Sequence, residues 1–315
     1  SFLLMLRFVP MFGGKGIWIS VFLSVSAYCN AGFDILGFLK PDASLELFVG
    51  DPLVCLTICC LIILGGIGFI VTVDLYNWGR KRVRKEERRP HLTLHTRIVL
   101  VSTAPLLVLG TVLTLGLEYD HTLKDLNFWE KLNASFFQSV TARTAGYATI
   151  PQGELGDATK LVTIILMFIG ASPSSTGGGI KTTTFVVLVA TVVSISRGRD
   201  ETVINKRRVD KSVVYRAMTI VAMAFLVIAI TSGVIMVTTP PEVSAIDAVY
   251  EAVSAFGTVG LTTGLTPDLS IVAKILVMLT LFIGRVGPIS LVLALTMKHS
   301  GGPGKILPAG KVIVG

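Results

Sequence analysis

Thr144-Ala145-Gly146-Tyr147 stands midway between two segments of the same form, Asn30-Ala31-Gly32-Phe33 and Thr258-Val259-Gly260-Leu261. The spacing is constant: 146 − 32 and 260 − 146 are both 114. A fixed internal period marks a repeated structural unit, and this one is too long for the short stacked units of a solenoid. Each segment follows a stretch long enough for a half-length helix: Lys15 to Cys29, Asn127 to Arg143 and Val243 to Gly257. Each also precedes a long apolar run: Pro52 to Leu75, Lys160 to Ser196 and Ile271 to Met297. Full spans from about Leu92 to Leu117 and from Val213 to Val237 lead into the second and third half-helices, and Pro105 is expected to kink the former. The order predicts an all-α integral membrane protein of repeated units, each an outer helix, a pore helix, a glycine loop and an inner helix.

Composition agrees. The chain has 315 residues, a mean hydropathy of +0.74, 52% hydrophobic residues and 15% charged ones, where a soluble domain carries about 25% charged. The net charge of +8 is confined to a few places. Arg80-Lys81-Arg82, Arg84-Lys85 and Arg88-Arg89 form one cluster; Arg197, Arg199, Lys206-Arg207-Arg208, Lys211 and Arg216 form another; Lys298, Lys305 and Lys311 mark the tail. Under the positive-inside rule these are cytoplasmic loops of a multi-pass protein of the cell membrane, so the glycine loops open outward. Binding of nucleic acid would need a soluble basic face, and none is expected. Acidic residues such as Asp51, Glu118, Glu130 and Asp247 fall on the outer side, where they either concentrate cations or are ordinary solvated charges. Cys29, Cys55, Cys59 and Cys60 show no metal spacing; buried free thiols in helices are expected. The opening Ser1-Phe2-Leu3-Leu4-Met5-Leu6 is too short to span a bilayer, which takes about 20 residues, and has no cleavage site. It reads as the end of a helix that begins upstream.

Glycine loops after half-helices suit cations. A cation entering a membrane exchanges water for oxygen ligands, which rings of backbone carbonyls supply. A loop that aims successive carbonyls at one axis needs backbone angles that glycine reaches freely. Non-helical backbone at membrane depth is tolerated only where it is buried or lines a cavity. A half-helix ending there points its negative end at the site.

The stretches Ser26 to Asp34, Thr141 to Tyr147, Ser172 to Thr184, Ser254 to Pro267 and Phe282 to Pro288 resemble the membrane subunit of the Trk/Ktr/HKT superfamily of potassium transporters, and within it the Ktr type. The resemblance implies four pseudo-symmetric units around one pore, about two and a half of them here. On that template residues 1–78 are part of the second unit, 79–91 a cytoplasmic basic loop, and 92–197 the third unit with a broken inner helix. Residues 198–212 are then a cytoplasmic loop, 213–298 the fourth unit and 299–315 a cytoplasmic tail. The filter falls on Asn30, Ala31 and Gly32, on Thr144, Ala145 and Gly146, and on Thr258, Val259 and Gly260, with K+ as cargo at their carbonyls. The resemblance also implies a homodimer in membrane lipid, a ring of cytosolic nucleotide-binding regulatory subunits on the basic loops and tail, and Na+ as an activating ion. The nucleotide belongs to that partner, and no cofactor is expected on this chain.

Gly170 to Gly179 combines Pro173 with serines, Thr176 and four glycines and cannot be ordinary helix. Breaks in spanning helices line cavities, and in the family the equivalent loop gates the pore. That role falls on Ser172, Pro173, Ser174, Ser175, Thr176, Gly177, Gly178, Gly179 and Lys181. Lys181 is either a barrier to cations or a cytoplasmic anchor. Gly178-Gly179-Ile180-Lys181-Thr182 is not a phosphate-binding loop, which needs Gly directly before Lys and a preceding strand. Arg285 lies in the last span, where insertion of a charge costs about 2.5–3.5 kcal/mol. It either pairs with an acid between helices or forms an electrostatic barrier beneath the filter, the role the family assigns. Arg143 is expected to brace a filter loop from behind. The function implied is potassium uptake through a carbonyl-lined filter. The alternative, a secondary transporter of another solute with a midplane site, predicts inverted repeats; these repeats run in parallel order. An enzyme is not expected, because His91, His95, His121 and His299 sit near span ends and no catalytic group converges.

Overall fold

The computed structural model describes residues 1–41, 43–84, 91–240 and 243–287. Its helices are α1 (Phe2–Phe12), α2 (Gly14–Tyr28), α3 (Pro52–Gly66), α4 (Phe69–Val83), α5 (Leu94–Glu118), α6 (Phe128–Thr141), α7 (Asp157–Phe168), α8 (Thr182–Ser196), α9 (Lys211–Thr238), α10 (Ala245–Gly257) and α11 (Ile271–Val286). A small antiparallel hairpin pairs β1 (Val203–Ile204) with β2 (Arg207–Arg208).

Local chemistry sets the helix starts. The Asp51 carboxylate accepts from the Leu53 and Val54 amides at 3.1 and 3.3 Å, with Pro52 at the first helical position of α3. Asn127 and Glu130 cap α6 reciprocally. Thr93 begins α5 by accepting from the Thr96 amide, and Ser270 begins α11 by accepting from Ala273. Among the described residues two helices, Leu94–Glu118 and Lys211–Thr238, are long and apolar enough to cross a bilayer alone; at 1.5 Å per residue both exceed a hydrocarbon core of about 30 Å.

The three helices α2, α6 and α10 that precede the glycine loops each pack between neighbours. Helix α2 packs on α1 and α3, α6 on α5 and α3, and α10 on α7, α9 and α11. One core joins Phe8, Leu23, Ile58, Phe137 and Tyr147; the other joins Met167, Ile180, Tyr250, Phe256 and Val259. Lipid tails are as apolar as these side chains, so close packing and internal hydrogen bonds hold the bundle rather than release of water.

Several expectations change. The run Pro52 to Leu75 is two helices, α3 and α4, bent by 99°. The break falls at Gly68, whose φ of 91° lies in the left-handed region and whose β position abuts the Pro173 carbonyl. The Phe69 amide then donates to the Ser174 carbonyl at 2.9 Å. Helix α4 continues to Val83, into the stretch 79–91 expected as loop, and a hairpin occupies part of 198–212. Cys55 and Cys59 are buried, but Cys29 and Cys60 are exposed. Glu118, expected at an outer mouth, is buried and accepts from Thr122 and the Gly156 amide. Lys85, Arg88 and Arg89, the span from 288 to 297 and the tail 299–315 lie outside the described residues.

Candidate functional site

The period of 114 recurs in the backbone. Asn30, Thr144 and Thr258 have φ of 49, 72 and 51°, and Gly32, Gly146 and Gly260 have φ of 72, 87 and 91°. Left-handed angles are uncommon for non-glycine residues and are genuine outliers for a β-branched one; each costs on the order of 1–3 kcal/mol and persists only where surroundings impose it. The surroundings here are three copies of one arrangement. The amide of Ala31 donates to Ser26, that of Ala145 to Thr141 and that of Val259 to Ser254, at 2.9, 3.0 and 2.9 Å. Hydroxyls of the same helix residues donate to the carbonyl after each glycine: Ser26 to Phe33 at 2.7 Å, Thr141 to Tyr147 at 2.6 Å and Ser254 to Leu261 at 2.6 Å. Val140 occupies the strictly equivalent position in the second copy, and its neighbour Thr141 takes over the bond.

The loops touch one another in sequence. A methyl group on Gly32 would overlap the Ala145 carbonyl, and one on Gly146 would overlap the Val259 carbonyl. The Asn30 amide lies 3.4 Å from the Thr144 hydroxyl, and the Tyr147 hydroxyl donates to the Phe33 carbonyl at 3.0 Å. Ala145 and Val259 are buried while Ala31 is exposed, and among the described residues the β position of Gly260 meets only Gly146. The three loops therefore form an arc with an open side.

Beneath this arc runs the break between α7 and α8. Residues 170–179 are non-helical, closed by a parallel bridge between Ile169 and Ile180. The loop reaches all three helix ends. The Thr176 hydroxyl donates to the Tyr28 carbonyl at 3.1 Å, Gly177 lies against the Thr144 hydroxyl, and Gly178 against the Thr258 hydroxyl. Side chains at 177 or 178 would collide with those hydroxyls. The loop is also stitched to the first bend, the Ser172 and Thr176 amides donating to the Gly66 and Gly65 carbonyls at 3.0 and 3.3 Å. Ser172 and Thr182 hydroxyls pair at 3.0 Å. Ser174 adopts φ 57°, and the buried hydroxyls of Ser175 and Thr258 have no protein partner among the described residues.

Two cationic side chains hold the loop, and a third was expected beneath the filter. Lys181 donates from Nζ to the Gly177 carbonyl at 2.6 Å, so it clasps the loop from within. Arg285 is exposed, lies in the last turn of α11 and has no ion pair among the described residues. Arg143 is buried, but its guanidinium reaches the Gly170 carbonyl at 3.1 Å and not the loop it precedes.

Two braces were invisible in the sequence. Gln138 and Gln152 exchange amide hydrogen bonds of 2.7 and 3.0 Å, and the Tyr250 hydroxyl donates to Gln152 Oε1 at 2.8 Å. The buried Glu251 carboxylate accepts from the Thr262 and Thr266 hydroxyls. Both tie a pore-type helix to the chain beyond its loop. The signal available was polar residues on otherwise buried helix faces.

A family model described as TrkH, a cation transport protein, matches residues 9–302. The chain belongs to the TrkH family. It is 39% identical over 295 residues to the Ktr system potassium uptake protein B of Bacillus subtilis, covering 93% of this chain and 63% of the relative. It is 40% identical over 297 residues to the potassium/sodium uptake protein NtpJ of Enterococcus hirae, covering 92% and 62%. This TrkH-family chain thus spans somewhat over three-fifths of the length of those relatives. Its fold matches the crystal structure of the potassium transporter TrkH from Vibrio parahaemolyticus with a TM-score of 0.66 at 18% identity, over 94% of this chain and 69% of that one. Family and fold together make it an all-α integral membrane protein, as the repeats predicted.

Proposed function

We propose that this chain forms most of the wall of a potassium uptake pore, with a selectivity filter at 30–32, 144–146 and 258–260. An extended strand points successive carbonyls to opposite sides; left-handed residues at every second position cancel that alternation and turn them toward one side. Carbonyls so turned replace the hydration shell of a passing K+. The C-terminal ends of α2, α6 and α10 add negative potential below them. A fourth loop of the same form closes the open side of the arc in the working transporter. The single observation that carries this reading is the threefold recurrence of the φ signature in loops that touch one another.

The loop 172–179 is the gate in this reading. It lies across the inner ends of the three helices, and Lys181 and Arg285 place positive charge where a cation would leave. Conduction then requires the loop to shift. Ser172 and Thr176 donate to the Gly66, Gly65 and Tyr28 carbonyls, and Phe69 and Lys181 donate to the Ser174 and Gly177 carbonyls, so the shift must break these bonds. A ring of cytosolic nucleotide-binding subunits, docked on the basic loops of a homodimer, drives that shift, with Na+ as an activator. Potassium is the cargo, and no resident cofactor enters.

The test is reconstitution of the full-length protein in liposomes with rubidium as tracer. Inward flux driven by a potassium gradient, competed by K+ more strongly than by Na+, is expected. Flux no greater than in empty vesicles, with the regulatory partner present, would overturn it.

A further inference from the structure

We infer that a groove on the outer wall of the bundle, between α5, α8 and the β1–β2 hairpin, is a binding site for an anionic phospholipid. Two adjoining cavities of about 490 and 530 Å³ share Val101, Ser102, Val186, Ile204 and Asn205 as walls, so they form one continuous groove. Each is within the range of about 300–1,000 Å³ that small-molecule sites occupy.

The groove is chemically two-ended. Along the helices it is lined by apolar side chains, including Pro105, Leu106 and Val189. At the hairpin end it is lined by Arg97, Arg197 and Arg199. Arg97 lies in the first turn of α5, and the other two directly follow the end of α8. All three therefore sit at one level, where a spanning helix begins and another ends, which is the depth of lipid headgroups. None of the three has an ion pair among the described residues. The acids that follow Arg199 compensate neither it nor Arg197: Glu201 pairs with Arg208 at 2.7 Å, and Asp200 is exposed and does not line the groove.

This pattern matches a phospholipid with a net negative headgroup. Guanidinium groups bind phosphate oxygens through paired N–H donors, basic pockets between membrane helices take such headgroups, and the apolar length accepts an acyl chain. A second copy of this chain fits less well. A face covering the groove would have to desolvate three unpaired cations, and this end of the chain carries an excess of basic residues that would oppose them.

The experiment compares phosphatidylglycerol with phosphatidylcholine of the same acyl chains. Binding to the purified full-length protein is read by native mass spectrometry and by thermal shift. The wild type should retain phosphatidylglycerol preferentially. Each of Arg97→Gln, Arg197→Gln and Arg199→Gln should weaken that preference about fivefold, as expected for one cation at an anionic headgroup. The exposed Lys211→Gln, outside the groove, should leave it unchanged. Val189→Trp, which fills the apolar length, should release the lipid while the protein remains folded. Equal retention of the two lipids, or an undiminished preference in the triple arginine variant, would overturn the site. So would a Val189→Trp variant that keeps its lipid but dissociates into monomers, since a second copy would then be the occupant. Potassium flux is not the readout, so failure here leaves the pore untouched.

Discussion

The Arg143 guanidinium donates to the Gly170 carbonyl across 3.1 Å, which ties the end of α6 to the first residue of the broken span. The bond joins the middle glycine loop, the proposed filter, to the proposed gate. Its energetics are lopsided, because Arg143 is buried with Nη1 unpartnered among the described residues. A buried charge with one neutral partner costs more than it returns, and an apolar residue of similar volume is often neutral or stabilising in such a place. Arg143→Met should therefore change the melting temperature by no more than about 2–4 °C. Rubidium leak without the regulatory partner should rise. A large loss of stability with unchanged leak would make Arg143 a brace and nothing more.

Gly146 combines φ of 87° with a β position that overlaps the Val259 carbonyl. Gly146→Ser adds about 1–2 kcal/mol of left-handed strain and must displace a carbonyl of the neighbouring loop. Displacement of one ligand should lower the preference for K+ over Na+ by about tenfold, equivalent to about 1.4 kcal/mol. Gly116→Ala is the control: it lies in α5 with open space at its β position, and should leave selectivity intact while gaining up to about 1 kcal/mol in helix propensity. Equal selectivity in the two variants would remove Gly146 from the filter.

What the sequence made legible was what a period can carry. Gly32, Gly146 and Gly260 declared the loops because each needs the same left-handed backbone. The break at 170–179 declared itself through a density of residues that no helix tolerates. The bend at Gly68 did not, because Gly65-Gly66-Ile67-Gly68 lies inside an uninterrupted apolar run, and such glycines serve helix contact as readily as a turn. Only the approach of Pro173 and Ser174 from a distant part of the chain decides between them. The burial of Glu118 was illegible for a related reason. Charge near a span end looks the same in sequence whether water or a Thr and an amide surround it.

Lys181 stands at the start of α8 and Arg285 in the last turn of α11. If both stand in the cation path, Arg285→Ala should lower the barrier; a change of about 1 kcal/mol would raise flux about fivefold. Lys181→Met should also raise flux, and it additionally frees the Gly177 carbonyl. Two cations at one point of the path would not act independently, so the double variant should gain less than the product of the singles. Independent, fully multiplicative effects in rubidium uptake would show that the two cations do not act at one place.

Lys160 on α7 and Asp247 on α10 form an ion pair of 2.8 Å with the lysine side chain only 8% exposed. Asp247 is thus a strut between two helices and not a free charge at an outer mouth. Removal of one partner strands the other, a loss of about 3–5 kcal/mol when both are fully buried, and less here because the Asp247 side chain is 21% exposed. Lys160→Met should lower the melting temperature markedly. Asp247→Leu added to it should recover much of the loss, because no stranded charge remains. Salt should alter the wild type little, since partly buried pairs are weakly screened. A double variant as unstable as Lys160→Met would mean that α10 depends on Lys160 through its packing along the helix stem rather than through its charge.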